Sequence, residues 1–259
     1  MGVFDSGIGG LSVLNALRAA LPRERFVYFA DTGHAPYGER TDAYVVERTR
    51  FVADHLLTTH GVKALVVACN TATAAAIHLL RAAYPSLPLV GLEPALKPAV
   101  ARSATRHIAV LATRGTVTSR KFDALWQSLA DQAHFSVVAC DGLAGAIERA
   151  DSTEITTLCA RYVQAAGTFG TAQGQIDTLV LGCTHYPFVA AELRRHTGGD
   201  VTFIDTGEAV ARQTQRLLTA ADLLANGGVG AATFIGSGST PALDMAVARW
   251  TRQQAAAPA

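Results

Sequence analysis

Short apolar runs that end in a polar residue or a glycine recur along this chain, with helix-spaced segments between them. The first run is Gly2–Asp5, and it is followed by a glycine-rich turn and by leucines spaced as in a helix. Further runs begin at Phe26, Ala64, Pro88, His107 and Thr178. This alternation predicts an α/β fold built from parallel strands that helices cover on both faces.

The length and the charge of the chain limit the class of protein. At about 150 residues per domain, 259 residues fit one large domain or two modest ones. A hydrophobic content of 49% with 17% charged residues excludes a disordered chain. The 22 basic and 21 acidic residues leave a net charge of +1. We therefore expect no nucleic-acid partner and no contact with an anionic membrane.

The sequence also predicts a cytoplasmic location. Residues 1–5 contain neither a basic region nor an apolar run, so no secretory signal is expected. The uncharged stretch 64–80 is about 17 residues long and holds several polar side chains, so it is too short and too polar to span a bilayer. Four cysteines without a C-x-x-C pair favour free thiols over disulfides in this compartment.

Chemistry-bearing side chains gather at one edge of the predicted sheet. Open parallel sheets bind ligands outside the carboxyl ends of their strands, and these apolar runs all end near polar residues. The residues expected at the strand ends are Asp5, Asp31, Cys69, Glu93, Thr113, Cys183 and Asp205.

A weak internal duplication surrounds two of these residues. The stretch 65–71, which contains Cys69, resembles the stretch 179–185, which contains Cys183. Two similar halves predict two parallel-sheet α/β domains related by pseudo-twofold symmetry, with the active site in the cleft between them. The expected domains are residues 1–92 plus 206–259 and residues 93–205.

Cys69 and Cys183 are the candidate reactive groups. Cys69 lies between a buried run and a helix start, where Asn70 or Thr71 is expected as the N-cap, and Cys183 is expected in the same setting. A helix N-terminus stabilises a thiolate and lowers the pKa of a thiol. The remaining cysteines, both expected to be structural, are Cys140 and Cys159.

Other interpretations stay open on these residues alone. Cys69, Cys183 and His185 are side chains of the kinds that bind zinc, although their spacing matches no known zinc pattern. His185 also lies near enough in sequence to Cys183 to activate it as a nucleophile. The segment 7–12 has only part of the dinucleotide-binding glycine pattern, and its backbone N–H groups suit a phosphate or a carboxylate. A binding protein without catalysis is the non-enzymatic alternative.

A pair of equivalent thiols suits proton transfer at a stereocentre. One thiolate removes the α-proton from one face of a carbon, and a thiol on the other face returns a proton. The carbanion needs fixed hydrogen-bond donors, because no lysine lies at a strand end where it could hold pyridoxal phosphate. Donors of this kind are expected from Ser6, Asn70, Thr71 and Thr184.

Four segments carry a more specific pattern: FDSGIGGL at 4–11, ADTGHAPYG at 30–38, ACNTAT at 68–73 and GCTHYP at 182–187. In this order they resemble the glutamate racemase family of the aspartate/glutamate racemase superfamily. The resemblance implies interconversion of L- and D-glutamate without a cofactor and without a metal, which supplies D-glutamate for peptidoglycan. The same segments argue against the related racemases that act on aspartate or hydantoins.

The resemblance also implies roles for single residues. Cys69 works on D-glutamate and Cys183 on L-glutamate, each as a proton donor and acceptor. The positions that match catalytic residues of the family are Cys69, Cys183, Asp5, His185 and Glu148, with Asp31 as a further auxiliary. The positions that match substrate-binding residues are Asp5, Ser6, Tyr37, Gly38, Asn70, Thr71, Thr113, Thr116, Thr118, Thr184 and His185.

Two departures from the family pattern stand out. Only Met1 and Gly2 precede Val3, where family members have a few more residues, so a short first strand or a trimmed start is expected. The stretch 236–239 replaces a Thr-Ser-Gly-Asp-like segment. Dimers are common in the family, so a homodimer is a further expectation.

Overall fold

The chain forms two compact units in a computed structural model that describes residues 1–251. The first unit comprises Met1–Leu92 and Gly207–Ala259, and the second comprises Glu93–Thr206. Residues 252–259, which the first expected domain includes, lie outside the described residues.

Strands and helices alternate along the chain. In chain order the strands are β1 Gly2–Asp5, β2 Arg25–Ala30, β3 Leu65–Val67, β4 Leu89–Gly91, β5 His107–Ala112, β6 His134–Ala139, β7 Thr178–Gly182, β8 Thr202–Ile204 and β9 Ala231–Gly236. The helices are α1 Leu11–Ala20, α2 Asp42–His60, α3 Asn70–Ala83, α4 Leu96–Arg102, α5 Arg114–Val117, α6 Arg120–Gln127, α7 Leu143–Glu148, α8 Ser152–Ala166, α9 Ala190–Thr197, α10 Gly207–Ala220 and α11 Thr240–Trp250. Short 3₁₀ turns lie at Thr32–His34, Tyr37–Glu39 and Tyr186–Val189.

The first unit contains a five-stranded sheet in the order β4-β3-β1-β2-β9, and every pair of neighbours is parallel. Phe4 of β1 lies opposite Phe29 of β2 and Val67 of β3. On this side the sheet packs with Leu56 of α2 and Leu80 of α3 in one buried cluster. A parallel sheet needs such covering helices, because its strands are apolar on both faces.

The second unit contains a four-stranded parallel sheet in the order β6-β5-β7-β8. Alternate residues of β5 enter different cores, as the period of two in a strand requires. Val110 belongs to a cluster with Leu96 of α4, whereas Leu111 belongs to a cluster with Leu143 of α7 and Leu158 of α8. Helices therefore cover both faces, and the predicted fold class of two parallel-sheet α/β domains is confirmed.

The two units share one strand order. In each sheet the first strand of the unit lies between the second and the third, and the fourth strand pairs with the third. The first unit adds β9 beside its second strand. The second and the third strand thus lie on opposite sides of the first, so the strand order reverses there. In open α/β sheets such a reversal opens a crevice outside the carboxyl ends of the first and third strands, and ligands bind there. Cys69 follows the third strand of one unit, and Cys183 follows the third strand of the other.

Three strands, β6, β8 and β9, were not apparent as apolar runs, and all three lie at sheet edges. Strand β6 is an edge strand whose residues are half-buried or exposed, and β9 is an edge strand with the same character. An edge strand packs against fewer neighbours, so its sequence has less need of apolar residues. Within residues 1–251, none of the helices combines the length and the apolar character that crossing a membrane would require.

A buried carboxylate just before β7 binds the segment that leads into β5. Asp177 accepts hydrogen bonds from the Ser103 hydroxyl at 2.6 Å and from the backbone N–H groups of Ala104 and Thr105 at 2.7 and 2.8 Å. The Thr178 hydroxyl donates to it at 2.8 Å. Burial would raise the pKa of Asp177, but these donors outweigh it and hold the pKa below its ordinary value.

We expect Asp177→Ala to lower the free energy of unfolding by about 2–3 kcal/mol at pH 7, because it leaves buried donors without an acceptor. The folded-state pKa lies below the ordinary value of 3.8. The contribution is therefore complete above about pH 5 and is lost as the pH falls through the folded-state pKa. Urea titrations at pH 7 and pH 3 measure both effects. The exposed Asp131→Ala serves as the control, and an equal loss in the two variants at pH 7 contradicts the prediction.

Candidate active site

Cys69 itself caps helix α3. The prediction that Asn70 or Thr71 is the N-cap is wrong, because the Cys69 backbone is extended and its Sγ accepts a hydrogen bond from the Ala72 N–H at 3.4 Å. The sulfur thus occupies the acceptor position that a hydroxyl or carboxylate fills at other helix starts. The positive end of the helix dipole faces this sulfur, and it stabilises negative charge there.

A line of polar groups connects Cys69 to a carboxylate. Strand pairing places Phe4 opposite Val67, so Ser6 comes beside Cys69 two residues further on. The Cys69 thiol donates to Ser6 Oγ at 3.8 Å, and the Ser6 hydroxyl contacts Asp5 Oδ1 at 3.5 Å. Asp5 is fully buried, so a charge on it must be balanced by donors.

Gly10 supplies one of those donors. Its N–H donates to Asp5 Oδ2 at 2.6 Å. A Cβ at position 10 would lie 2.7 Å from the Asp5 Cβ and 2.9 Å from the Tyr28 hydroxyl, so only glycine allows this approach. This N–H therefore already donates within the protein. It is not one of the backbone N–H groups that the glycine turn can offer to a bound anion.

Asn70 offers an unused amide beside Cys69. The residue is buried, and neither its Oδ1 nor its Nδ2 has a hydrogen-bond partner among the described residues. A buried polar group without a partner costs free energy, about 1–3 kcal/mol. Such a group is typical of a site that a ligand completes. The next residue, Thr71, is also buried.

The loop after β2 carries further predicted site residues. Tyr37 and Gly38 are buried in the 3₁₀ turn, and the Tyr37 ring packs against Phe4 with centroids 6.2 Å apart. The Tyr37 hydroxyl donates to Asp31. Burial and the hydrogen bond to Asp31 raise the pKa of Tyr37 far above its ordinary value, and the charge of Cys69 adds to the rise. The phenol therefore stays protonated.

Cys183 lies in a different local setting from Cys69. The prediction of a matching helix start is wrong, because the 3₁₀ turn Tyr186–Val189 separates Cys183 from α9, which begins at Ala190. Pro187 lies in the first turn of this short segment. The stabilising partner of the Cys183 sulfur is a side chain: His185 Nδ1 lies 3.6 Å from Cys183 Sγ.

A carboxylate completes this second line of polar groups. His185 Nε2 lies 2.5 Å from Glu148 Oε1, at the end of α7. Burial would lower the pKa of His185, but the hydrogen bonds to Cys183 and Glu148 and the negative charges there raise it well above its ordinary value. His185 is therefore an imidazolium near neutral pH, and its positive charge lies beside Cys183 Sγ.

The threonine-rich segment lies beside Cys183 along the sheet edge. Ala112 of β5 pairs with Gly182 of β7, so Thr113 and Cys183 follow neighbouring strand ends. Thr113 and Thr116 are buried, with their hydroxyl oxygens 2.9 Å apart. Thr118 is exposed, and its hydroxyl donates to a backbone carbonyl of α5 at 2.9 Å. Thr184 is buried next to Cys183.

The other two thiols lie in hydrophobic surroundings. Cys140 and Cys159 both belong to the core cluster of the second unit. Burial raises the pKa of Cys140 far above its ordinary value and that of Cys159 to about 12. Within residues 1–251, no group of three or more His, Cys, Asp or Glu side chains is arranged to hold a metal ion.

The surroundings of the two cysteines thus follow one chemical plan. In the first unit a carboxylate, Asp5, reaches the Cys69 thiol through Ser6. In the second unit Glu148 reaches the Cys183 thiol through an imidazole. Each arrangement can hold a sulfur as thiolate or thiol, and it can therefore accept or donate a proton.

Two residues near these groups were missed in the sequence. Arg48 forms an ion pair with Asp31 at 2.9 Å, and Ser237 lies close enough to Asp31 to lower its pKa. Arg48 lies in α2 next to the buried residues Val45 and Thr49. An arginine on the buried side of a helix is the signal that points to a buried acidic partner. Ser237 follows the edge strand β9, which the apolar pattern did not reveal.

Comparison with known proteins gives a consistent result. The model of the family described as Asp/Glu/Hydantoin racemase matches residues 10–214. A glutamate racemase of Pseudomonas syringae pv. tomato is 48% identical over 229 residues, which cover 88% of this chain and 81% of that protein. A solved glutamate racemase of Bacillus anthracis matches with a TM-score of 0.83 at 32% identity, over 96% of this chain and 92% of that one.

A second solved structure comes from Escherichia coli, and its glutamate racemase is in complex with L-glutamate and the activator UDP-MurNAc-ala. It matches with a TM-score of 0.80 at 29% identity, over 97% of this chain and 94% of that one. The chain belongs to the Asp/Glu/Hydantoin racemase family, and it is therefore an isomerase. Within that family it groups with the glutamate racemases, so the resemblance seen in the four sequence segments is confirmed.

We expect iodoacetamide at pH 8 to alkylate Cys69 and Cys183 roughly tenfold or more faster than Cys140 and Cys159. The reason is that the thiolate is the reactive form, and the raised pKa values of the two core thiols leave little of it. Peptide mass spectrometry over time measures the four rates. In urea all four thiols should react alike, and faster labelling of a core thiol in the folded protein contradicts the expectation.

We expect Glu148→Gln to lower the pKa of His185, because the change removes a negative charge and keeps a hydrogen-bond acceptor. Titration of the histidine ring signals by NMR measures the effect, with His185→Asn used to assign the signal. The matched control is Glu192→Gln, which removes a carboxylate that pairs with His196. The assignment of Glu148 as a charge partner fails if both variants leave the His185 titration unchanged.

Proposed function

We propose that this protein interconverts L- and D-glutamate with Cys69 and Cys183 as its two proton-transfer groups and with no cofactor. The observation that carries the proposal is the equivalence of the two thiols. Each follows the third strand of a sheet with the same strand order, and each is linked to a carboxylate through one polar side chain. A hydrolase with one nucleophile has no use for the second equivalent thiol.

Proton transfer by two thiols balances in each direction. With L-glutamate, the Cys183 thiolate removes the α-proton and becomes a thiol, and the electron pair of the C–H bond passes to the α-carbon. The Cys69 thiol then donates its proton to the opposite face of that carbon and becomes a thiolate, and the product is D-glutamate. The reverse reaction exchanges the two roles.

The contacts of the two thiols support different ways of stabilising negative charge on each sulfur. The His185 imidazolium pairs with the Cys183 thiolate, and Glu148 holds the imidazolium in orientation by accepting from Nε2. Cys69 relies on the Ala72 N–H and on the helix dipole. We propose that Asp5 assists Cys69 through Ser6, because the three polar groups lie in one line.

The developing carbanion calls for fixed donors around the substrate. The Asn70 amide is buried and has no hydrogen-bond partner within residues 1–251, so it can bind a carboxylate or an ammonium group without breaking a hydrogen bond seen there. We propose further contacts to glutamate from the residues that match substrate-binding positions of the family. They are Asp5, Ser6, Tyr37, Gly38, Thr71, Thr113, Thr116, Thr184 and His185. The exposed Thr118 has the least support from its surroundings.

Glutamate is the proposed substrate because the relatives with 46–50% identity are glutamate racemases from Pseudomonas and a related genus. We further propose that the product D-glutamate serves peptidoglycan synthesis and that the two compact units are the two expected catalytic domains. A cytoplasmic location and a homodimer stay predictions from the sequence.

We expect Cys69→Ala and Cys183→Ala each to abolish racemisation in both directions, because every turnover needs one base and one acid. The loss should be at least about 100- to 10,000-fold, the usual contribution of general acid–base catalysis. Circular-dichroism polarimetry with each enantiomer measures the rates. Cys159→Ala, a cysteine in the core, serves as the control and should keep activity.

Isotope exchange in heavy water distinguishes a mechanism with two bases from a mechanism with a single base. With two bases, the first product molecules carry deuterium at the α-carbon while recovered substrate stays protiated. Cys183→Ala should retain slow exchange only with D-glutamate, and Cys69→Ala only with L-glutamate. Racemisation by either alanine variant at near the wild-type rate would falsify the two-thiol mechanism, whereas no racemisation of glutamate by the wild-type protein would overturn the proposed substrate.

A further inference from the structure

Asp31 is a fully buried carboxylate with an arginine in a two-pronged contact. Arg48 Nε lies 3.0 Å from Asp31 Oδ2, and Arg48 Nη2 lies 2.9 Å from Asp31 Oδ1. Parallel hydrogen bonds of this kind orient both partners as well as neutralise the charge. The arginine projects from α2, whose position is set by the buried residues Val52 and Leu56.

Two further groups approach the same carboxylate, one from the segment 32–38 and one from the residue that follows β9. The Tyr37 hydroxyl donates to Asp31 Oδ2, and the Ser237 side chain lies close enough to Asp31 to lower its pKa. Ser237 Oγ in turn accepts from the Gly33 N–H at 3.2 Å. The segment 32–38 is therefore tied to Asp31 at its start through Ser237 and near its end through Tyr37.

This arrangement leaves Asp31 without a role in proton transfer. Burial would raise the pKa of Asp31, but the hydrogen bonds from Arg48, Ser237 and Tyr37 outweigh it and keep the pKa below its ordinary value. The carboxylate is therefore ionised throughout the neutral range and has no proton to donate. The charge of Arg48 is what makes the burial of this carboxylate tolerable.

We propose that Arg48 is a positioning residue, which holds Asp31 so that Asp31 and Ser237 orient the segment 32–38 and present Tyr37 and Gly38 to the substrate. This inference rests on the proposed function, since Tyr37 and Gly38 are there proposed to contact glutamate. It extends that function to a residue on α2 and to a residue after β9, neither of which touches a thiol or lies among the residues that match the family's substrate positions.

The proposal predicts a specific division between kinetic constants. Arg48→Met keeps the length of the side chain but removes the guanidinium that contacts both oxygens of Asp31. Asp31 is then no longer held, so we expect the segment 32–38 to lose its fixed orientation. A loosened binding group costs affinity, and we expect the KM for glutamate to rise about tenfold while kcat changes less than about threefold. Arg48→Lys retains the charge without the fork and should recover part of the loss. Arg50→Met, an exposed arginine on the same helix, is the matched control.

A double-mutant cycle tests whether Arg48 acts through Tyr37. If it does, the combined effect of Arg48→Met and Tyr37→Phe on kcat/KM should be clearly smaller than the product of the two single effects. Multiplicative effects would mean that Arg48 stabilises the fold without positioning Tyr37, and they would overturn the proposal. Steady-state kinetics in both directions provides the four values.

Hydrogen–deuterium exchange gives a readout that does not depend on the substrate. Arg48→Met and Ser237→Ala should both speed exchange in the segment 32–38, and neither should change exchange in the second unit. Ser237 is exposed, so its variant tests the proposal even if Arg48→Met does not fold. Unchanged exchange in 32–38 for Ser237→Ala, or for a folded Arg48→Met, overturns the positioning role. A wild-type protein inactive on glutamate would overturn the proposed function and leave this exchange result to decide the positioning role.

Discussion

The reversal of strand order beside the first strand of each sheet is the constraint on which the rest of this structure depends. It brings the carboxyl ends of the first and third strands next to each other, and in open α/β sheets this is where ligands bind. In the first unit, Asp5 and Ser6 therefore meet Cys69. In the second unit, Thr113 follows the strand end beside Cys183. A side chain elsewhere on these strands would be covered by the helices that make up the two cores.

Negative charge on sulfur is stabilised differently in the two units, although the topology is the same. Helix α3 starts directly at Cys69, so a backbone N–H and the helix dipole reach the sulfur. A 3₁₀ turn follows Cys183, so the nearest positive group is the His185 imidazolium, held by Glu148. The first sulfur is thus contacted by a backbone group at a helix start, whereas the second is contacted by an ionisable side chain.

Sequence patterns were most informative where a strand is buried on both faces. Strands β1, β3, β5 and β7 appear as uninterrupted apolar runs, and the residues that follow them mark the site edge. Strands β6 and β9 lie at sheet edges and lack this signal. The prediction of Asn70 or Thr71 as the N-cap of α3 is wrong, because the sulfur of Cys69 provides the acceptor in place of the usual oxygen.

The order of amino acids along the chain was enough to specify the parallel α/β class, the two cysteines at strand ends and the family, because these depend on local periodicity and short motifs. The tertiary structure determines which groups that lie far apart in the sequence come into contact. Glu148 reaches His185 across 37 positions, and Ser237 comes within hydrogen-bond distance of Gly33 across 204. No local pattern encodes such pairs, because the sheet order and the register of the strands determine them. That the Asn70 amide lacks a hydrogen-bond partner among the described residues is likewise visible only once the neighbouring donors and acceptors are placed.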